Sequence, residues 1–124
     1  MSYTISENNI IRINRGDTFS FDFTINDANS PEGRYILKDD DALYFGLMDP
    51  HQLFEDALVK KRYTKDDCDN MGNLVIKLNA EDTLDLCPGV YYYSIKLHKV
   101  TDTEEDYIDE VITIINKTKF IICD

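Results

Sequence analysis

Tryptophan is missing from these 124 residues, histidine occurs twice, and cysteine and proline three times each. Cys68, Cys87 and Cys123 are odd in number and widely spaced, so no C-x-x-C pair exists to grip zinc or exchange disulfides. A thiol nucleophile needs a neighbouring base, and His51 and His98 are the sole imidazoles. Ordinary buried thiols account for all three cysteines. Positive charge is short as well: 13 basic against 24 acidic residues give a net charge of -11, which repels phosphate backbones and anionic lipid headgroups. Neither nucleic acid nor a membrane surface is expected as a partner. No apolar run is long enough for a transmembrane helix, and the opening MSYTISENNIIRINRG has no basic region ahead of an apolar stretch. The expectation is a chain that starts in the cytoplasm without a secretory signal.

What is present is enough apolar matter for one core. The apolar content is 43%, with eight Tyr and six Phe, far from a disordered composition. A chain of this length buries about two-thirds of the surface its unfolded form exposes. One domain over residues 1–124 follows, with no linker, repeat or low-complexity segment to divide it.

Strand periodicity dominates. Phe19, Phe21, Phe23 and Ile25 alternate with Thr18, Ser20, Asp22 and Thr24; Leu43, Phe45 and Leu47, and Leu74, Ile76 and Leu78, repeat the period of two. Turn signals fall between them at Arg15-Gly16-Asp17, Ser30-Pro31-Glu32-Gly33, Met48-Asp49-Pro50, Asp69 to Asn73 and Cys87-Pro88-Gly89. The predicted strands are 9–14, 17–26, 42–48, 57–63, 73–79, 89–99, 107–115 and 118–123, with one helical turn at Ala80 to Leu84. Seven to eight short strands with regular turns define an all-β, single-domain antiparallel β-sandwich. The last two strands are apolar on both sides and split near Asn116-Lys117, so both faces are expected to be covered.

The run PGVYYYSIKL at Pro88 to Leu97 raises a choice between an aromatic platform and a core strand. Alternation sends Tyr91, Tyr93, Ile95 and Leu97 inward and Tyr92, Ser94, Lys96 and His98 outward. Leu84-Asp85-Leu86-Cys87-Pro88-Gly89-Val90-Tyr91 reads as a crossing between layers followed by an early inward tyrosine. In Ig-like sandwiches a tyrosine so placed folds over the crossing and hydrogen-bonds its backbone. Tyr91 is predicted to do so, which leaves Tyr92 for a partner.

Patterns that carry chemistry are weak here. Asp67-Cys68-Asp69-Asn70-Met71-Gly72 imitates the start of a calcium loop, but Met71 offers no oxygen at the fifth position and Leu78 replaces the bidentate glutamate at the twelfth. Carboxylates sit in hydrophilic turns, including Lys38 to Asp41 and Asp102 to Asp106, where solvation explains them. No nucleophile elbow or phosphate-cradling glycine loop occurs. No catalytic, cofactor-binding or metal-binding residue is therefore assigned. Arg15-Gly16-Asp17 reads as a turn and not as an adhesion tripeptide. Leu53 and Phe54 are large apolar groups in an expected loop: they either cap one end of the core or form an exposed patch. Lys60-Lys61-Arg62 is the one basic cluster, suited to the acidic loops of a neighbouring copy.

Three stretches, Arg15-Gly16-Asp17-Thr18-Phe19, Asp41-Ala42-Leu43-Tyr44-Phe45-Gly46 and Leu86 to Ile95, occur in the order found in small phage-encoded β-sandwich modules. Over about residues 9–123 the layout resembles the N-terminal domain of phage baseplate upper proteins. That resemblance implies an Ig-like sandwich serving as a non-enzymatic structural or adaptor component of a tail, baseplate or head surface. It would sit in the virion after assembly in the host cytoplasm, touching other virion proteins or copies of itself. The residues expected at such contacts are Tyr92, Leu53, Phe54, Lys60, Lys61 and Phe120. A small carbohydrate- or ligand-binding sandwich that uses Tyr92 with Tyr44 is the alternative.

Overall fold

The computed structural model describes residues 3–5, 9–26, 33–69, 73–102 and 107–124. Ten strands run through them: β1 (Tyr3–Ile5), β2 (Ile11–Asn14), β3 (Phe19–Phe23), β4 (Ile25–Asn26), β5 (Arg34–Tyr35), β6 (Ala42–Met48), β7 (Val59–Tyr63), β8 (Leu74–Leu78), β9 (Gly89–Asp102) and β10 (Tyr107–Cys123). Six form one sheet in the order β1-β2-β10-β9-β6-β7, and β3 with β8 forms the facing layer. Eight strands thus build the all-β sandwich, and β4 and β5 add a two-residue ladder beside it. The large sheet is mixed, because β2 runs parallel to the end of β10 while its other pairings are antiparallel.

The period-two pattern decides which side chains fill the interior. Ile11 and Ile13 of β2, Phe45 and Leu47 of β6, Tyr93, Ile95 and Leu97 of β9, and Phe120 and Ile122 of β10 are buried against Phe19, Leu74, Ile76 and Leu78. Aromatic rings link the layers. Phe120 meets Phe19 edge-on at 6.0 Å and Tyr93 at 6.2 Å, and Tyr93 stacks on Phe45 at 5.7 Å. The Tyr93 hydroxyl donates to the Asn9 carbonyl at 2.5 Å, so a buried ring still satisfies its polar tip.

Local chemistry fixes the joints. In the turn after β2, Asp17 N–H donates to the Asn14 carbonyl, and Gly16 takes a φ of 81°, where a side chain would be strained. Gly16 N–H donates to the buried Thr83 hydroxyl, tying this turn to the short helix α1 (Ala80–Leu84). Asn79 and Asp82 form a reciprocal capping box on α1. At one side of the sandwich the Tyr63 hydroxyl accepts the Lys77 N–H, joining edge strand β7 to β8. On the other side a 650 Å³ cleft lined by Phe21, Phe23, Ile25, Tyr93 and Ile114 is the mouth of the interlayer core.

The crossing into β9 behaves as expected: the Tyr91 hydroxyl donates to the Cys87 carbonyl at 2.7 Å over a half-buried ring. Burial, with Cys87 and Asp49 nearby, pushes its pKa up. Three expectations change. The predicted strands 107–115 and 118–123 are one 17-residue strand. One extra residue between Thr113 and Ile115 and another between Ile115 and Thr118 bulge β10 against β9. Two bulges restore the alternation, so the strand bends past Asn116-Lys117 without ending. Asp41, expected in a solvated run, is buried; its carboxylate accepts the Tyr35 hydroxyl and the N–H groups of Lys38 and Val100. Strands β1 and β5 are additions to the predicted set. The turn residues 30–32, Asn70, Met71 and Gly72 of the calcium-like run, and residues 103–106 lie outside the described residues.

Candidate functional site

The outward face of the six-stranded sheet holds the most distinctive cluster of side chains. Register places Arg12 of β2 beside Ile121, Lys119 of β10 beside Tyr92, Lys96 of β9 beside Tyr44, and Arg62 and Lys60 of β7 beside Tyr44 and Gly46. Five of the 13 basic residues therefore share one face of an acidic chain. Among the described strand side chains on that face there is no carboxylate.

Phe54 organises its centre. The loop after β6 makes a 3-10 turn at Phe54–Asp56, which lays the Phe54 ring across Gly46. A Cβ at position 46 would stand 2.6 Å from that ring, so a glycine in mid-strand is the close-approach site that lets the turn dock. Lys96 Nζ sits 4.6 Å from the ring centroid and Lys60 Nζ 5.9 Å, both within cation–π range. Lys60 also donates to the Glu55 carbonyl at 2.9 Å. A groove of about 340 Å³ opens here, lined by Tyr44, Phe54, Glu55, Lys60, Lys96, His98 and Val111. Val111, level with His98, is 63% exposed.

The residues expected at partner contacts separate into three groups. Phe54 and Lys60 lie together in the groove, and Leu53, the residue before Phe54, is 62% exposed but does not line it. Phe54 thus neither caps an end of the core nor lies bare: it covers the outside of the sheet, where Met48 and Ser94 are also buried. Tyr92 keeps its outward parity but is half-buried, four strand positions from Lys96, the partner of Tyr44. At about 3.3 Å per residue the two tyrosines stand about 13 Å apart, with Phe54 over Gly46 between them, so they form no continuous ring platform. Lys61 and Phe120 are corrections. Lys61 has inward parity and forms a 2.9 Å ion pair with Asp82, and Phe120 is at 0% exposure within the ring cluster. Strand parity decides both, because each is one residue out of phase with an outward neighbour.

Lys96, His98 and Tyr44 are outward by sequence alternation, yet their meeting with Phe54 depends on the register of β6 against β9. Gly46 was the available signal, a glycine inside an alternating strand.

Elsewhere, the Cys68 thiol donates to the Thr64 carbonyl at 3.7 Å. Burial, with Asp67 and Asp69 adding to it, pushes its pKa up and away from the thiolate. Among the described residues no three His, Cys, Asp or Glu side chains converge as metal ligands. No protein-family profile, curated protein sequence or solved structure matches the chain.

Proposed function

We propose that the chain is a non-enzymatic structural or adaptor protein of a phage particle, a tail, baseplate or head-surface component that acts through protein–protein contacts. The observation that carries this reading is the outward sheet face: an aromatic ring set among cations, flanked by exposed Leu53 and Val111, on a rigid β scaffold. Apolar anchors with a polar, charged surround are how protein surfaces are recognised. The resemblance to baseplate upper proteins supports it further, since Arg15 to Phe19 forms the turn into β3, Asp41 to Gly46 leads along β6, and Leu86 to Ile95 forms the tyrosine-pinned start of β9. The direct test is peptide mass spectrometry of phage particles purified by density gradient from cells that encode the chain, with immunogold labelling of the same particles. Stoichiometric presence is expected. Its absence from purified particles overturns the assignment to the virion.

The groove favours a second reading, a ligand-binding module in which Tyr44, Phe54 and His98 form the wall and Lys60 and Lys96 the polar contacts. A glycan array separates the two: discrete binding abolished by Tyr44→Ala supports the ligand module, and an array without signal supports the structural one.

A further inference from the structure

Resting on the reading of the chain as an assembly module, we infer that its partner on the basic sheet face is a second copy of the chain, presenting the acidic face on the opposite side of its sandwich. The outward face of β3 and β8 bears a depression of about 420 Å³ lined by Asp22, Asp67, Asp69, Asn73 and Val75. Asp22 lies opposite Val75 in the pairing of β3 with β8, and Asp67 and Asp69 follow the end of β7. The two acidic loop residues are held in place by their own hydrogen bonds. Asp67 accepts the Thr64 N–H at 2.8 Å, and Asp69 accepts the Asn73 N–H at 2.9 Å and its side-chain amide at 3.1 Å. Two cations border this face: Lys77, level with Ser20, does not line the depression, and Arg34 donates to the Asn73 side-chain carbonyl at 2.8 Å at its edge, leaving three aspartates against one guanidinium there.

The two faces complement one another in kind as well as sign. The basic groove has Lys60, Lys96 and exposed Val111; the acidic depression has three aspartates and Val75, itself 51% exposed. They sit on opposite outer faces of the two layers, so a contact between them is heterologous and head-to-tail. Such a contact repeats, building a ring where the rotation closes and a filament where it does not. The net charge of -11 opposes any meeting of copies, but at physiological ionic strength charges beyond about 8 Å are largely screened. Facing side chains at contact distance then outweigh the distant surplus.

Sedimentation velocity over a concentration series tests this with the whole chain. The native protein is expected to self-associate, more weakly as salt is raised above the physiological level. The double variant Lys60→Glu, Lys96→Glu and the double variant Asp22→Lys, Asp67→Lys should each weaken self-association by at least about tenfold. Mixed in equal amounts, the two should associate with each other, because each then carries the complement of the other's altered face. Circular dichroism melts keep unfolded variants from being read as interface variants, and Lys60→Gln, Lys96→Gln provides a milder pair if the reversals do not fold. A native chain that stays monomeric, variants that associate as well as the native, or a mixture without mutual association would each overturn the head-to-tail contact. If the chain is nevertheless found in purified particles, the adaptor reading stands and its partner is a different protein.

Discussion

The two faces of the six-stranded sheet are made by the same strands and obey different rules. Inward, Phe45 stacks on Tyr93, Tyr93 meets Phe120 and Phe120 meets Phe19, and each is at or near zero exposure. Outward, the same strands present Tyr44, Lys96 and Lys119, and the ring that docks over Gly46 among them, Phe54, arrives from a loop. The inner face is fixed by alternation and volume, because neighbouring layers leave no room for another arrangement. The outer face is fixed by register and by what the loop lays across it. Stability therefore concentrates inward and the proposed contacts lie outward, and the contrast is open to measurement.

The largest effect belongs to the middle of the inner face. Tyr93→Ala removes a ring packed against both Phe45 and Phe120 together with its hydrogen bond to Asn9, and should cost about 3–5 kcal/mol in urea unfolding. Tyr91→Ala should cost less, since its ring is half-buried at the crossing. Equal losses at the two positions would mean that the packed interior reaches out to the crossing loop.

Alkaline pH probes the same ring without changing it. Burial pushes the Tyr93 phenol up to about 12, against about 10 for a tyrosine in an unfolded chain. Below about pH 10 both states hold the proton and stability is unaffected. Between about pH 10 and 12 the unfolded chain releases the proton and the folded one keeps it, so stability falls as pH rises, by about 2–3 kcal/mol in all. Tyr91, shifted in the same direction, adds to the slope. Urea midpoints across this range should fall for the native chain and fall distinctly less for Tyr93→Phe. Parallel slopes would show that Tyr93 is wetter than its packing implies.

A mutation at Gly46 reaches the outer face from beneath. Gly46→Ala pushes a methyl group into the Phe54 ring, which must lift from the sheet or strain β6. A loss of about 1–2 kcal/mol is expected, together with the disappearance of ring-current shifts on the Lys96 side-chain protons in NMR spectra. Unchanged Lys96 shifts would place the anchor of the ring elsewhere than on Gly46.

How far the sequence disclosed this division follows from what each feature depends on. The strands, the inward set Tyr93, Ile95 and Leu97, and the Tyr91 bond to Cys87 were legible because they rest on alternation and on one local crossing. Phe120 was misread because it opens the run Phe120-Ile121-Ile122, apolar at every position, where alternation carries no signal, and the two bulges in β10 hid its phase. Lys61 was misread inside a three-residue basic cluster, where its inward parity and its partner Asp82 were overshadowed by Lys60 and Arg62. Asp41 looked like one more loop acid, and only the folded chain brings Tyr35 and Val100 to it. The outward groove belongs with these last cases, since its residues come from β6, β7, β9, β10 and a loop and meet only through register.

Leu53 marks the smallest effect and the sharpest separation of the two faces. Its neighbour Phe54 is docked on Gly46, whereas Leu53 is 62% exposed and precedes the 3-10 turn without contributing a side-chain cap to it. Truncating so exposed a residue removes little buried area, so Leu53→Ala should shift stability by less than about 0.5 kcal/mol. The same substitution should weaken association with whatever partner occupies the groove, because an exposed leucine beside a charged rim is an anchor only when covered. A stability loss comparable to that of Gly46→Ala would put Leu53 inside the fold of the loop and remove it from the proposed contact surface.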